Sequence, residues 1–271
     1  GRKNMDFLKG YPLFKIAINM FNDTISVIYT LLGVSPMDGT YKEAWSMVSN
    51  LYNVFLGIGA PLLTIFFVWG YCRDALDLKA ELQFEATIKT MFRYIFTVTA
   101  MEMFSVWFPL LCQMAMDLLG LVKKKRLKIN AGDMARQISD NMAPMVGFVL
   151  ALIFLLIAIA CCVIMVWSVF GRFINMYMLI PFASIALSTI AGGGEIARTG
   201  YSYVKTMLVY VFEIVLMAVV LAIAGSFLMG SSVIDSGENL QLVYVESIVK
   251  MVCISAALKG CDATFRKAFN M

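Results

Sequence analysis

Residues 143–170 contain the run PMVGFVLALIFLLIAIACCVIMVWSVF, which has no charged side chain from Pro144 to Phe170. About 20 consecutive apolar residues suffice for a helix to cross the hydrocarbon layer of a membrane, so this stretch alone demands a lipid environment. The rest of the chain agrees. It is 61% hydrophobic and only 15% charged over 271 residues, with a mean hydropathy of +0.80, more apolar surface than a water-soluble domain can hide. The expected architecture is all-α: a polytopic transmembrane helical bundle with about six spans, accompanied by amphipathic interfacial helices.

The expected spans are residues 47–70, 92–121, 143–170, 174–191, 204–229 and about 242–258. In the first, Gly57, Gly59 and Pro61 predict a kink or a tight helix contact, with Trp69 and Tyr71 as interfacial anchors. The second is long enough to tilt, and Pro109 sits where a kink is expected. The fourth is short, holds Pro181 and ends in small residues, implying a broken helix before the glycine loop at Gly192, Gly193 and Gly194. The sixth places Glu246 and Lys250 one helical turn apart. Residues 11–34 show helical apolar spacing interrupted by Lys15, Asn19, Asn22 and Asp23, the pattern of a helix lying on the membrane. The chain thus divides into an amphipathic amino-terminal interfacial segment (1–46), a transmembrane helical domain (47–258) and a cytoplasmic carboxy-terminal tail (259–271). Between Arg73 and Arg93 mixed charges predict an amphipathic connecting helix.

A net charge of +4 is modest, and its distribution reports orientation. Lys123, Lys124, Lys125, Arg126 and Lys128 follow the end of the second span, marking a cytoplasmic loop suited to contact anionic lipid. Most other basic residues fall on the same side, against Arg73, Lys79, Lys89, Arg93 and Arg172 on the opposite one, so both termini are expected in the cytoplasm. No cleavable signal peptide is expected before the first polar segment, and the spans themselves are expected to direct insertion. The chain has no histidine, which removes the usual general base and the commonest metal ligand. Its six cysteines show no C-x-x-C spacing. Phosphate-loop, dinucleotide and zinc signatures are missing too. No catalytic, cofactor-binding or metal-binding residue is assigned, and the chain is not expected to be an enzyme.

Glu102 and Glu213 fall inside expected spans, where a carboxylate costs several kcal/mol unless it is protonated, paired or wet. Each is a candidate for a pore lining or interhelical contact. The plainer reading puts Glu102 near a tilted helix end and pairs Glu213 with Lys205 or with another span. Arg172 and Lys205 bracket the broken helix, and Arg172 also suits an interfacial snorkelling position. Pro181 and the three glycines permit irregular backbone at membrane depth, which is tolerated only beside protein or a water-filled cavity.

Residues 171–225 combine Arg172, Pro181, the segment Ala-Leu-Ser-Thr-Ile-Ala-Gly at 186–192, Gly200, Lys205 and Glu213. This pattern resembles the TrbL/VirB-type polytopic membrane subunit of conjugative type IV secretion systems, in the form found in Gram-positive mobile elements. The stretch from Asp77 through Thr87 to Arg93 is similar to that family as well. The resemblance implies an oligomeric inner-membrane scaffold helping to pass DNA and relaxase, without cofactors. Its implied partners are secretion ATPases, a coupling protein, other channel subunits and a pilin or adhesin-like component. In that light Arg172, Pro181, Gly192, Lys205 and Glu213 are structural or pore-shaping candidates, to which the residues' own pattern adds Glu102, Pro109, Gly193 and Gly194 as pore or structural candidates. A small ion-coupled secondary transporter and a membrane anchor for another complex are the rival classes.

Overall fold

A computed structural model describes residues 10–76, 83–122, 135–136, 144–229 and 240–268. Among these residues the regular structure is helical, with no strand. The α-helices are α1 (Tyr11–Leu32), α2 (Lys42–Leu76), α3 (Gln83–Glu102), α4 (Phe104–Val122), α5 (Pro144–Leu179), α6 (Ala183–Ala191), α7 (Gly194–Met229) and α8 (Leu240–Ala268). Among the described residues four stretches are long and apolar enough to cross a membrane: Lys42–Ala75, Phe104–Val122, Met145–Ala191 and Gly194–Ala224. The protein is therefore an all-α membrane protein.

Helix boundaries depart from the expected spans: α7 begins at Gly194 and not at 204, residues 242–258 are not among the four stretches, and two further differences concern the earlier spans. No break falls at Gly171 and Arg172: α5 continues to Leu179, so residues 174–191 are not a separate span. Gly171 stands in open space, and Arg172 finds partners inside the protein, so the chain has no cause to leave the helix there. The break falls at Pro181, in a 3₁₀ turn over Ile180–Phe182, because proline has no N–H to donate and crowds the carbonyl one turn back. The second difference is in residues 92–121, which divide into α3 and α4 at Met103, upstream of Pro109, while α4 continues through that proline. Of the expected connecting helix, residues 77–82 lie outside the described residues. So do Lys123, Lys124, Lys125, Arg126 and Lys128.

The chain forms two compact units. The first comprises residues 1–33, 117–171 and 214–263. Here the apolar stripe of α1, with Phe14, Ile18, Phe21, Ile25 and Ile28, is fully buried. Its polar residues Lys15, Asn19 and Asp23 are exposed. The stripe thus rests on protein where the sequence pattern pointed it at a membrane surface. Phe14 meets the Phe154 ring edge-on at 5.4 Å and the Tyr244 ring at 6.2 Å, each such pair being worth about 0.5–1.5 kcal/mol beyond burial. Tyr244 donates to the Leu150 carbonyl at 3.0 Å. The Glu246 and Lys250 side chains form the ion pair their spacing permits, 2.8 Å apart and largely buried. The helix continues past residue 258 to Ala268, so most of the expected tail is helical.

The second unit comprises residues 34–116, 172–213 and 264–271. Its centre is α6, whose sequence ASIALSTIA is made of small and medium side chains, packed against α2 and α3. Small residues let helix backbones approach closely, which matters in lipid because no hydrophobic effect drives helices together there. Gly59 faces Ser184 so closely that a Cβ would lie 2.9 Å from the serine Cβ, and a Cβ on Gly70 would lie 2.5 Å from the Gly192 carbonyl oxygen. Gly59 is therefore the expected tight contact, whereas Gly57 has nothing within 4 Å. Beyond α6, Tyr52 donates to the Met101 carbonyl at 2.6 Å and stacks on Phe104 at 4.6 Å, bracing α2 against the α3–α4 break. Phe104 continues the stack to Phe108, which Trp45 covers.

Candidate functional site

Arg172 is the most deeply buried basic side chain described, at 3% exposure. A snorkelling arginine would hold its head in solvent or headgroups, so this burial removes that reading. Guanidinium stays charged under physiological conditions and is costly to take out of water, so its surroundings must answer the charge. Nη1 donates to the Tyr210 carbonyl at 3.3 Å, and the guanidinium carbon lies 4.1 Å from the Phe173 ring centroid. Nε and Nη2 have no hydrogen-bond partner among the described residues. The negative charge that acts most on the group is that of Glu213, and Cys112, Tyr41 and Tyr177 are its neutral neighbours.

Each neighbour is placed by its own element. Glu213, 3% exposed, sits on α7, near the Tyr210 carbonyl that takes the arginine's hydrogen bond. Tyr177 lies on α5 and donates to the Pro36 carbonyl, tying the helix to the turn that precedes α2. Tyr41, in the 3₁₀ turn Gly39–Tyr41, stacks on Phe173 at 4.5 Å, and its buried hydroxyl has no hydrogen-bond partner among the described residues. Burial pushes that phenol above its ordinary range, and the Arg172 charge opposes the shift. Further along, Arg266 Nη2 donates to the Tyr210 hydroxyl at 2.7 Å. The result is a charged, hydrogen-bonding interior between helices that are otherwise apolar. Such a cluster can hold a charge within the protein and respond to a change in the charge of its neighbours, but it contains no nucleophile paired with a base.

The other candidates are dispersed. Pro181, Gly192 and Gly193 are buried at the α5–α6 and α6–α7 corners. Gly193 and Gly194 adopt φ of 63° and 53°, a conformation glycine enters without the Cβ penalty of other residues. Lys205 is exposed on α7, and Glu102 is exposed at the α3–α4 break, one residue before Met103. Pro109 is half-buried within α4. Of these candidates, Arg172 and Glu213 are both buried, and the Glu213 charge acts on the arginine. Tyr41, Tyr177, Tyr210 and Arg266 carried no sequence signal, since aromatic residues are abundant in any membrane chain and no spacing links positions so far apart. No family model, curated protein or solved structure matches this chain.

Proposed function

We propose that this chain is an inner-membrane channel or scaffold subunit of a conjugative type IV secretion system, helping to move a DNA–relaxase substrate across the membrane. The observation that carries this reading is the burial of a charged Arg172, with the buried Glu213 attracting its charge, in helices long and apolar enough to cross a membrane, within the 171–225 stretch that resembles the TrbL/VirB-type subunit. A membrane chain that keeps charge inside its helices usually does so for a function, because apolar replacements would cost less. In this reading the protein crosses the cytoplasmic membrane several times. It works as a homo-oligomer with secretion ATPases, a coupling protein, other channel subunits and a pilin or adhesin-like component. The chain performs no catalysis itself.

One observation favours a second reading, an ion-coupled secondary transporter: two guanidinium nitrogens of Arg172 have no hydrogen-bond partner beside a buried carboxylate, an arrangement suited to coupling with a small ion. The mating frequency of a donor carrying an in-frame deletion, with and without the gene in trans, separates the two. Loss of transfer restored by the wild-type copy, but not by Glu213→Ala of normal membrane level, supports the secretion role. Undiminished transfer together with solute uptake in vesicles replaces it with the transporter.

A further inference from the structure

Away from the Arg172 cluster, a second polar feature of the same unit is lined by Arg73, Asp74, Lys89, Thr90, Arg93 and Gly194 around a cavity of about 370 Å³. Asp74 holds two of its cations in place: Arg73 Nη2 lies 2.9 Å from Oδ1 and Arg93 Nη2 lies 3.4 Å from Oδ2. Arg93 Nε also donates to the Ala191 carbonyl at 3.2 Å. The two left-handed glycines make this possible. A Cβ on Gly193 would collide with the Arg93 guanidinium and one on Gly194 with that of Arg73, so only bare backbone lets both cations lie against the start of α7. Three cations against one carboxylate leave the lining positive by two charges. The opening N–H groups of α7 add to the same sign. Glu195 in that first turn is exposed and outside the lining. The Nε and Nη2 groups of both arginines are engaged by Asp74 and the Ala191 carbonyl, so a phosphate would be met by their fixed positive charge, their remaining N–H groups and the adjacent Lys89 ammonium.

The cavity also has an apolar neighbour that a soluble anion would not use. On α3, Phe84, Ile88, Phe92 and Phe96 follow one another at one-turn intervals and are all exposed, Phe84 at 77% and Phe92 at 68%. A second recess of about 350 Å³, lined by Tyr71 and Phe84 among others, shares Asp74, Ala86 and Thr90 with the cationic one. Trp69 and Tyr71, both exposed near the end of α2, are the residues that anchor helices at headgroup depth. A cationic hollow joined to an apolar stripe fits an amphiphile with an anionic head.

We propose that this hollow holds the phosphate of an acidic phospholipid whose acyl chains lie along the Phe84–Phe96 stripe of α3. The proposal stands apart from the transfer role. Its test is the full chain in detergent, with phosphatidylglycerol, phosphatidylcholine, diacylglycerol or inorganic phosphate added, read as bound lipid by native mass spectrometry and as thermal shift. Phosphatidylglycerol is expected to bind in preference to phosphatidylcholine and diacylglycerol. Lys89→Gln, at an exposed position, is expected to weaken that binding about fivefold, in keeping with the worth of one basic residue at an anionic surface. Arg93→Gln should weaken it at least as much, and Lys15→Gln, on the other unit, should leave it unchanged. Because Arg93 also braces the fold, Lys89→Gln with an unaltered circular dichroism spectrum is the decisive variant. Equal binding of both phospholipids, or phosphatidylglycerol binding untouched by Lys89→Gln, overturns the site. Inorganic phosphate stabilising the protein as much as the lipid, with the same loss in Lys89→Gln, overturns the lipid as occupant.

Discussion

Gly70→Ala adds one methyl group where two backbones meet. The new Cβ would stand 2.5 Å from the Gly192 oxygen and 2.9 Å from its carbonyl carbon, whereas ordinary contact begins near 3.4 Å. α2 and the α6–α7 corner must therefore part by about 0.9 Å, and since the obstructing atoms are backbone, no side-chain rotation can relieve them. Overpacking of this kind costs about 1–3 kcal/mol, from which the better helix propensity of alanine returns up to about 1 kcal/mol. The net expectation is a loss of about 1–2 kcal/mol. Gly57→Ala is the internal control: with nothing within 4 Å of its Cβ, only the propensity gain remains and stability should rise. Gly59→Ala should fall between them, because the Met101 side chain can move aside and the Ser184 backbone cannot. Unfolding in mixed micelles of rising dodecyl sulfate content, followed by tryptophan fluorescence and circular dichroism, ranks the three. Gly70→Ala as stable as wild type, or Gly57→Ala as damaging as Gly70→Ala, refutes the packing of α2 on the α6–α7 corner.

Arg172→Met and Glu213→Leu should each lose about 3–5 kcal/mol in the same assay by leaving a buried charge unanswered, while the double variant recovers most of that loss; strictly additive losses would mean the two side chains do not interact. Tyr177→Phe deletes the bond to the Pro36 carbonyl and should cost about 1 kcal/mol, so an unchanged midpoint would remove that tie. Glu246→Ala strands the Lys250 ammonium, 13% exposed, and should destabilise clearly more than Lys259→Ala at an exposed position; equal effects would argue against the buried pair. Pro109→Ala restores an N–H inside α4 and should raise stability slightly, with a loss indicating that the proline shapes the helix after all.

Hydropathy carried the helical class and the cores of the membrane-crossing stretches, because a lipid environment leaves a compositional mark every few residues. It could not place helix ends. Residues 174–191 read as a separate span since Gly171 and Arg172 resemble a loop, yet Arg172 is buried, donates to the Tyr210 carbonyl and feels the Glu213 charge, a setting that lies in tertiary structure. The interruption at Met103 was illegible for a related reason: Pro109 advertised a kink, while the actual discontinuity coincides with the Tyr52 bond to the Met101 carbonyl. Glu246 and Lys250 were legible because their partnership is local. The α1 stripe was legible as amphipathic, but periodicity does not distinguish a protein surface from a membrane surface as the thing it covers.

The second unit also shows how a membrane chain can specify one packing from unexceptional residues. Leucine and isoleucine are as comfortable in lipid as in a neighbour's groove, so they do not by themselves choose a partner. The choosing falls to positions where lipid is a poor substitute. Glycine at 59 and 70 gives α6 a depth of approach that an acyl chain cannot match. At the corner after α6, the Ala191 carbonyl accepts from Arg93, satisfying a donor that lipid would leave bare. Tyr203 on α7 donates to the Leu179 carbonyl at 2.8 Å, at the point where the proline break interrupts the helical ladder. The irregular backbone around Pro181 and Gly192–Gly194 is thus enclosed by partners from α2, α3 and α7. Its breaks expose the carbonyls and the bare glycine surface that bind those partners, so straightening the helix there would remove the means by which the unit selects its fold.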